Sequence, residues 1–518
     1  MVVVVITASF STSAQPGSLD TDFADNGIYT SGINTNWDEA KALTIQSDGK
    51  IVTAGYINQS NAEPPTDDDF YIRRFNADGS PDFDFGEDGI VIQDLAGGTD
   101  GAWDVEIQDD GKILAAGFGW QSWERALVIR LNQDGSLDET FSGDGMAVIE
   151  VGGFSDRIWD IEIQPDGKIV GCGTCFVSGS DFDWCALRLL PNGNLDTSFG
   201  DAGSLTLDLG TQQVSAEALA ILDDGRILLG GYSLVTGPYA MQFVMLNTDG
   251  SSDETWDDDG YAEVVISGAD DAVKSIAIQP DGKIVAGGYS WNGSDLDFAL
   301  VRLNPDGSLD ETFDGDGLEV TSIGEGYDFI EDIYIRPDGK ILAGGASEVE
   351  GSVFDWSIAM YNPDGLLQED FGNNGKVIAG ISSGWDSMFG IEPSDDGNII
   401  AAGFSDGGNE IYELTLAKFL DDLNLGNLSK LEEEKLLIYP NPITTSTTLR
   451  FELKNEESYS VELRDLSGRL IAELIPLELW EPGEHKILLE MPRDLPSGSY
   501  LLRLVSASKS VSVKIVKG

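Results

Sequence analysis

The side chains that could carry out acid–base or nucleophilic chemistry are unevenly supplied in this chain. Its single histidine is His485, near the end of the 518 residues, so no Ser–His pair or histidine-bound metal is expected elsewhere. Carboxylates are abundant, with 91 Asp and Glu against 30 Lys and Arg. With so many acids, some pair will lie at a catalytic separation by chance. The carboxylates alone therefore give little reason to expect an enzyme.

Runs of aspartate are candidate calcium ligands, because Ca²⁺ prefers hard oxygen donors on loops. No run has EF-hand spacing: counted from Asp310, the twelfth position is Thr321, where a bidentate glutamate is needed. Asp side chains also bond their own turn backbones, and we favour that interpretation. Ca²⁺ remains the only cofactor that the sequence suggests, with no cofactor certain. Its candidate ligands are Asp257, Asp259, Asp314 and Asp316.

The three cysteines are Cys172, Cys175 and Cys185. The first two form a C-x-x-C motif, but no helix follows to lower a thiol pKa, so a thioredoxin-like role is not favoured. Zinc would need a fourth ligand, and no histidine is near. In an exported protein we expect one disulfide that joins Cys185 to either partner, and Cys175–Cys185 is the pairing that we predict.

Aromatic side chains on predicted loops are the best candidates for ligand binding, because they can stack on sugar rings or on protein partners. The alternative is that several of them cover the hydrophobic edges of the fold. Two further tryptophans, Trp37 and Trp385, precede predicted strands. The loop candidates are Trp120, Trp123, Tyr239, Trp291 and Trp356.

Two short elements recur seven times and must position these loops. One reads Gly-x-Leu-Asp-x-x-Phe-x-x-x-Gly and begins at Gly17, Gly79, Gly135, Gly193, Gly250, Gly307 and Gly365. The other, Asp-Gly-Lys-Ile-Val/Leu, recurs at successive spacings of 62, 56, 58, 57, 57 and 58 residues. Asp-Gly suits a tight hairpin, because glycine takes the positive φ that other residues resist.

Each repeat reads as four short strands; in the third copy they are 145–151, 158–164, 168–173 and 184–190. A four-stranded unit cannot bury both faces alone, but a closed ring of such units can. The sequence therefore predicts an all-β seven-bladed β-propeller over residues 16–422, with a right-handed β-solenoid as the alternative. The strand near 28–33 should complete the blade that the last three strands begin.

One repeated basic position is predicted to pair with the aspartate of the Leu-Asp element. Met360 and Gln368 replace both partners together, as pairing predicts, whereas Met245 stands opposite a retained Asp253. Further bases follow the Asp-Gly turns, so no basic patch is left for a polyanion. The expected pairs are Arg74–Asp82, Arg130–Asp138, Arg188–Asp196 and Arg302–Asp310.

The repeats resemble the delta-60 repeat family, a propeller-like repeat of secreted bacterial proteins. That resemblance spans residues 17 to about 420.

The C-terminal segment differs in composition, since residues 430–518 carry 14 acids and 12 bases against 77 and 18 before them. Alternating strands and turns predict a small Ig-like β-sandwich over 436–518, after a linker at 423–435. Its motifs resemble the type A C-terminal sorting domain of the Bacteroidetes type IX secretion system. The residues that carry this resemblance are Tyr439, Pro440, Asn441, Pro442, Gly468, Gly498, Lys514 and Lys517.

The resemblance implies passage through the periplasm to the outer-membrane surface or beyond, with the type IX machinery as a partner. Residues 1–15 are interpreted as a truncated signal peptide, because an apolar run precedes small residues. The net charge of −61 argues against binding to nucleic acid. The sequence has no run of eighteen apolar residues, the length that a membrane-spanning helix needs.

We therefore expect a secreted or surface-attached monomer, a non-catalytic binding or adhesion propeller for an extracellular glycan or protein. The alternatives are a carbohydrate-active enzyme that uses carboxylates or Ca²⁺ and a purely structural surface protein.

Overall fold

The computed structural model describes residues 16–421 and 437–517 apart from several short segments. The segments left out are 32–36, 59–67, 96–97, 179–180, 211–213, 234–238, 350–352, 395, 407–410, 440–445, 454–456, 465–469, 481–482, 493–494, 496–497 and 507–509. The predicted signal peptide, linker, Pro440, Asn441, Pro442 and Gly468 lie outside the described residues. The described part contains no helix long and apolar enough to cross a membrane.

Seven four-stranded antiparallel sheets form the blades of a β-propeller, and blades 1–6 use their strands in chain order from the centre outward. The innermost strands are β2 (Asp38–Ile45), β6 (Gly101–Ile107), β10 (Asp156–Ile163), β14 (Val214–Ile221), β18 (Asp271–Ile278), β22 (Asp328–Ile335) and β26 (Asp386–Pro393). The second strands are β3 (Ile51–Asn58), β7 (Ile113–Trp120), β11 (Ile169–Ser178), β15 (Ile227–Ser233), β19 (Ile284–Trp291), β23 (Ile341–Val349) and β27 (Ile399–Asp406). The third strands are β4 (Asp68–Phe75), β8 (Glu124–Leu131), β12 (Asp181–Leu189), β16 (Ala240–Leu246), β20 (Leu296–Leu303), β24 (Val353–Tyr361) and β28 (Tyr412–Phe419). The outermost strands are β5 (Ile90–Gln93), β9 (Met146–Ile149), β13 (Ser204–Leu207), β17 (Tyr261–Val264), β21 (Leu318–Thr321), β25 (Lys376–Ala379) and, for blade 7, β1 (Ile28–Thr30).

The ring closes through its N-terminal strand, as the sequence predicts. In blade 7, β1 pairs with β28, and Ile28 lies opposite Ala417. Because the first strand of the propeller is bonded to the last, neither end of the ring is left as an open edge. The fold is therefore the predicted seven-bladed propeller and not a solenoid.

The core lies between the blades. Each hydrophobic cluster combines apolar residues of two neighbouring sheets; one example joins Val52 and Ile72 of blade 1 to Val105, Ile113 and Leu127 of blade 2. The middle strands are buried on both faces, which explains why they read as continuous apolar runs.

Each blade is bonded to the next through the Gly-x-Leu-Asp elements. The residue after the motif aromatic donates its N–H to a carbonyl just before the next element's first glycine. In one instance Gly86 donates to the Asp134 carbonyl. Gly135 has a positive φ, and a side chain there would collide with Phe85. The seven bonds, 2.7–3.0 Å long, are Ala24–Asp78, Gly86–Asp134, Ser142–Asn192, Gly200–Asp249, Asp257–Asp306, Asp314–Asp364 and Gly372–Pro16.

The predicted arginine–aspartate pairs are present at this junction. The Arg130 Nε donates to Asp138 at 2.7 Å, the guanidinium stacks on Phe141, and a second nitrogen donates to the Pro191 carbonyl of the following repeat. The turn base Lys112 contacts the same carboxylate at 3.1 Å. The equivalent Nε–Oδ2 bonds are Arg74–Asp82, Arg188–Asp196 and Arg302–Asp310, 2.7–2.8 Å long.

Blade 4 explains the repeat that did not fit the pairing pattern. Met245 replaces the arginine, but Arg226 of the Asp-Gly turn donates to Asp253 at 2.9 Å. The aspartate therefore keeps a cationic partner although the usual one is missing.

The disulfide is the predicted one, between Cys175 and Cys185, and Cys172 is a buried free thiol.

The C-terminal unit is a sandwich of a three-stranded and a four-stranded sheet, ordered β29-β30-β33 and β32-β31-β34-β35. Its core contains Leu449, Tyr459, Val461 and Leu502. The strands are β29 (Leu437–Tyr439), β30 (Ser446–Leu453), β31 (Glu457–Arg464), β32 (Leu470–Trp480), β33 (Gly483–Glu490), β34 (Gly498–Ser506) and β35 (Ser510–Lys517).

We predict that Arg130→Met lowers the free energy of unfolding by about 1–3 kcal/mol, because Asp138 keeps Lys112 as its partner. Adding Lys112→Met should bring the loss to about 3–5 kcal/mol, because the buried carboxylate is then uncompensated. Urea unfolding of both single variants and the double variant measures the coupling. A double variant no less stable than the sum of the singles would contradict the shared-partner interpretation.

Candidate functional site

The two faces of the propeller differ in how regular they are. One face carries the Asp-Gly turns and the Gly-x-Leu-Asp elements, which are alike in most blades. We call it the framework face. The other face carries the hairpin loops between second and third strands and the connections from one blade to the next, which differ among blades. We call it the variable face, and it is where a specific ligand site is expected.

Buried aspartates at the start of the innermost strands hold these blade-to-blade connections in place. Asp100, for example, is fully buried and accepts the Leu95 N–H at 2.7 Å. The loops of the variable face are therefore tied to the ends of rigid strands. The equivalent bonds, 2.7–2.9 Å long, are Asp156–Val151, Asp271–Ile266, Asp328–Ile323 and Asp386–Ile381.

A β-bulge in every innermost strand places one extra residue at the central channel. In blade 2 the pairing passes from Ala102 directly to Asp104, so Trp103 has no partner in β7. The same shift occurs at the equivalent place in all seven blades. The seven extra residues line one cavity of about 370 Å³. These residues, which we call the bulge ring, are Lys41, Trp103, Trp159, Glu217, Lys274, Glu331 and Phe389.

The bulge ring combines aromatic and charged side chains. The Trp103 and Trp159 ring centroids lie 5.2 Å apart, edge to face. The Lys41 ammonium lies over the Phe389 ring, 3.6 Å from its centroid. Lys274 contacts Glu217 at 2.9 Å. Unlike the framework residues, these positions therefore offer different chemistry in different blades.

Carboxyl groups deeper in the channel connect neighbouring blades. The Asp104 carboxylate of blade 2 accepts the N–H of Ile161 in blade 3 at 2.9 Å. The innermost strand has no further strand on its channel side. A side chain must therefore accept the hydrogen bond from the N–H that no strand pairs with. The other such bonds are Asp160–Leu219, Glu162–Ile221, Asp332–Ile391 and Glu392–Ile45, 2.6–3.1 Å long.

Burial makes these carboxyls weak acids. It raises the pKa of Glu162 to about 7 and that of Glu392 to about 8, with Asp332 adding repulsion at Glu392. Burial also raises the pKa values of Asp104 and Asp160, which share a hydrogen bond. The channel carboxyls therefore release their protons at higher pH than exposed carboxyls do.

A second cavity, of about 640 Å³, opens beside the bulge ring at blades 3 and 4. Trp159 and Glu217 line both cavities. Tyr239, a residue predicted to bind ligand, lies in this second cavity with its ring centroid 5.2 Å from that of Tyr232. The cavity therefore offers aromatic faces beside a carboxylate.

The other predicted aromatic residues divide into two groups. Trp123 is 48% exposed and Trp120 is 36% exposed, while Trp291 is partly buried and contacts Tyr327. Trp356 does not lie on a loop and is a wrong prediction. It is fully buried inside β24, and its Nε1 donates to the Phe404 carbonyl at 3.1 Å.

The predicted calcium ligands make turn contacts. Asp259 and Asp316 accept the backbone N–H groups of Tyr261 and Leu318 at 3.0 and 3.1 Å. Burial and the neighbouring acids raise the pKa of Asp257, and Asp314 bonds to Glu319. Among the described residues, the group of three carboxylates close enough to share an ion is a different one, Asp69, Asp94 and Asp100. Calcium at the four predicted aspartates stays a prediction.

The sorting-motif residues that the structure describes lie in both sheets of the sandwich, three of them in the four-stranded sheet. Gly498 begins β34 and pairs with Lys517, while Lys514 pairs with Leu501. Tyr439 ends β29.

A seven-bladed repeat propeller and a small β-sandwich define an all-β repeat protein. Six segments of the propeller match the family model described as "Domain of unknown function (DUF5122) beta-propeller", at 46–85, 108–141, 164–199, 222–255, 279–313 and 336–367. Residues 437–518 match "Secretion system C-terminal sorting domain". The chain carries DUF5122 β-propeller repeats, the delta-60-like repeats, and a type IX sorting domain. It is a secreted protein, attached to the cell surface or released.

Solved structures with a similar fold include the polysaccharide lyase Uly1, with a TM-score of 0.41, 11% identity and coverage of 79% of this chain and 98% of that one. A PL25 ulvan lyase bound to -[GlcA(1-4)Rha3S]- also has a TM-score of 0.41, with 11% identity and coverage of 79% and 94%. Sqt1 from Chaetomium thermophilum has a TM-score of 0.39, with 14% identity and coverage of 76% and 83%. No curated protein matches the chain significantly.

We predict that Glu392→Gln weakens the pH dependence of stability. The folded pKa is raised, to about 8, so the folded state holds a proton that the unfolded state releases above its ordinary pKa. Wild-type stability should therefore fall as the pH rises from about 5 to 8, and the variant should lose roughly 1–3 kcal/mol less over that range. Glutamine keeps an oxygen for the Ile45 N–H. Urea unfolding at both pH values measures the change, with the exposed Glu139→Gln as the control. Equal slopes in Glu392→Gln and wild type would contradict the assignment.

We predict that deletion of residues 436–518 leaves the protein in the periplasm, because the sorting domain directs passage across the outer membrane. Cell fractionation with an antibody to the propeller measures this, and the full chain is the control. Normal surface display or release of the deletion variant would overturn the role of the sorting domain.

Proposed function

We propose that the propeller is a non-catalytic extracellular binding module and that its ligand contacts the variable face at the bulge ring. The observation that carries this proposal is that the framework residues repeat from blade to blade whereas the bulge-ring residues do not. Seven blades repeat the same hairpins and Arg–Asp pairs, yet the residue that each bulge places at the channel differs in chemistry. A purely structural ring would have no need of such varied side chains at one shared cavity.

The chemistry at the bulge ring favours a glycan. Trp103 and Trp159 supply flat apolar surfaces, and Glu217 and Glu331 supply hydrogen-bond acceptors beside them. The predicted residues Tyr239, in the second cavity, and Trp120, Trp123 and Trp291 widen this aromatic surface. A polyanion is disfavoured, because residues 1–429 carry a net charge of −59.

The framework face offers less for a ligand. Its bases are engaged in ion pairs, as for Lys50 with Asp82 at 2.8 Å and Lys283 with Asp310 at 2.7 Å. Its glycines are packed against the aromatic residue of the preceding element. This face is therefore assigned to holding the ring together.

A carbohydrate-active enzyme is the second candidate, favoured by the raised pKa values of the channel carboxyls, since a general acid must hold its proton near the working pH. Asp104 and Asp160 do not fit a glycosidase pair, because they bond to each other, whereas such pairs are about 5–9.5 Å apart. Release of products from a bound glycan would favour the enzyme over the binding module.

We expect glycan-array binding by the full chain to be retained in EDTA and to weaken at least about tenfold in the variant Trp103→Leu/Trp159→Leu, because buried aromatic contacts dominate such interfaces. Phe83→Leu is the control, since Phe83 is an exposed aromatic (69%) on the framework face. Loss of binding in EDTA would instead support calcium. Equal weakening in both variants would contradict the bulge ring as the site, and silence on every glycan would favour a structural or adhesive ring.

A further inference from the structure

The bulge ring already stabilises two ammonium groups of its own chain. The Lys274 ammonium contacts Glu217 at 2.9 Å, and Glu331 adds a second attractive charge. The Lys41 ammonium lies 3.6 Å from the Phe389 ring centroid and contacts Glu39 at 2.8 Å. Each ammonium group therefore contacts one carboxylate, and a second group, either another acid or an aromatic face, stabilises its charge further.

The blade 2–3 half of the ring has the same components without an ammonium. Trp103 and Trp159 stand side by side at the channel. Asp104, Glu106, Asp160 and Glu162 lie next to them on the same two strands and line the same cavity. Among the described residues that line this cavity, the bases are Lys41 and Lys274, which belong to blades 1 and 5.

The nearest arginine does not fill this half. Arg157 of blade 3 makes two bonds to Glu124, at 2.6 and 2.8 Å, and stacks on Phe118 at 4.7 Å from the ring centroid. Its guanidinium carbon is 5.8 Å from the Trp159 ring. Arg157 lines the second cavity and not the one at the bulge ring. The Trp103 ring packs against Tyr56 and Phe118, with ring centroids 5.9 and 5.0 Å away, and both indoles line the bulge-ring cavity.

Electrostatics favour a cation in this half over an anion. Burial raises the pKa values of Glu106 and Asp160, and repulsion from neighbouring carboxylates adds to the rise. That repulsion would oppose another negative charge and favour a positive one. A bare metal ion is less suitable than an organic cation. Oxygens of Asp104 and Asp160 already bond to backbone N–H groups and to each other, and indole rings are not metal ligands.

We infer that the blade 2–3 half of the bulge ring binds an organic ammonium group, held between the indoles of Trp103 and Trp159 and the carboxyls of Asp104 and Asp160. The inference rests on the proposed function, because it names the ligand chemistry at the same site. Protonated amino sugars and choline-type head groups share this chemistry. Both present a cation on a body that an aromatic face can cover.

Isothermal titration of the full chain with two matched pairs of probes tests this. One pair is the trimer of glucosamine and its neutral N-acetylated form; the other is choline and its uncharged isostere 3,3-dimethyl-1-butanol. At about pH 7 we expect the charged member of at least one pair to bind about tenfold or more tightly than its neutral partner. The pair that shows the difference distinguishes a sugar source from a head-group source.

Two variants test the assigned residues. Asp104→Asn/Asp160→Asn removes the charges but keeps an oxygen for each backbone N–H, so the fold should survive. Trp159→Leu removes one aromatic face. Each should abolish the preference for the charged probe, while Phe83→Leu, which alters an exposed aromatic residue on the framework face, should preserve it.

Equal affinity for charged and neutral probes, or no binding of either charged probe at about 10 mM, would overturn the inference. Retention of the preference in Asp104→Asn/Asp160→Asn would also overturn it. The array measurement tests the proposed function separately. Glycan binding that depends on Trp103 and Trp159 but not on ligand charge would support the binding module and reject only the inference about an ammonium group.

Discussion

Seven sheets meet edge-on around one channel, and no further strand can pair with their innermost strands. The N–H groups on those edges must still be satisfied, because an unpaired buried backbone group is costly. Side chains from the neighbouring blade do this, as when Asp332 accepts the Ile391 N–H. The acidity of the channel, the raised pKa values of its carboxyls and the contact between successive blades all follow from this one requirement. The bulges add one residue per blade that the hairpin does not use, and that residue is free to differ.

At the outer part of the blades the requirement is different, since the sheets must be held at a fixed spacing. The guanidinium of Arg130 does this through three kinds of contact: a hydrogen bond from Nε to Asp138, stacking on Phe141 and a bond to the Pro191 carbonyl of the next repeat. The backbone bond from the residue after each aromatic adds a contact that depends on no side chain. Specific chemistry at the centre is thus separated from repeated chemistry at the rim.

Much of the fold could be predicted from the sequence, because its determinants repeat and are local. The residues of the Asp-Gly turns, of the Arg–Asp pairs and of the closing strand each occur at a fixed position in the repeat and can be recognised there. The predicted strand at 158–164 differs from β10 (Asp156–Ile163) by one or two residues at its ends. The three cysteines in one blade predicted a disulfide at Cys185, but the choice between Cys172 and Cys175 as its partner needed the structure.

The site was harder to predict, because a bulge adds one residue to a strand and no turn motif or glycine in the sequence marks its position. Alternation along Trp159-Asp160-Ile161-Glu162-Ile163 places Trp159 on the buried face with Ile161 and Ile163, whereas the register shift turns it to the channel. Comparison of the seven copies at that position could have shown the departure, since it holds Lys, Trp, Glu and Phe. Trp356 failed for the opposite reason: it was placed on a loop, but it lies in a third strand, where side chains pack against the next blade.

The way the ring closes has a consequence for how such proteins change in evolution. The seam lies inside blade 7, where β1 joins three strands from the far end of the propeller, so it does not coincide with a boundary between blades. Duplication or loss of one unit of about 57 residues inside the ring would add or remove a whole blade and leave the seam untouched. The number of blades is therefore free to vary among descendants, while the pairing that closes the circle is inherited unchanged.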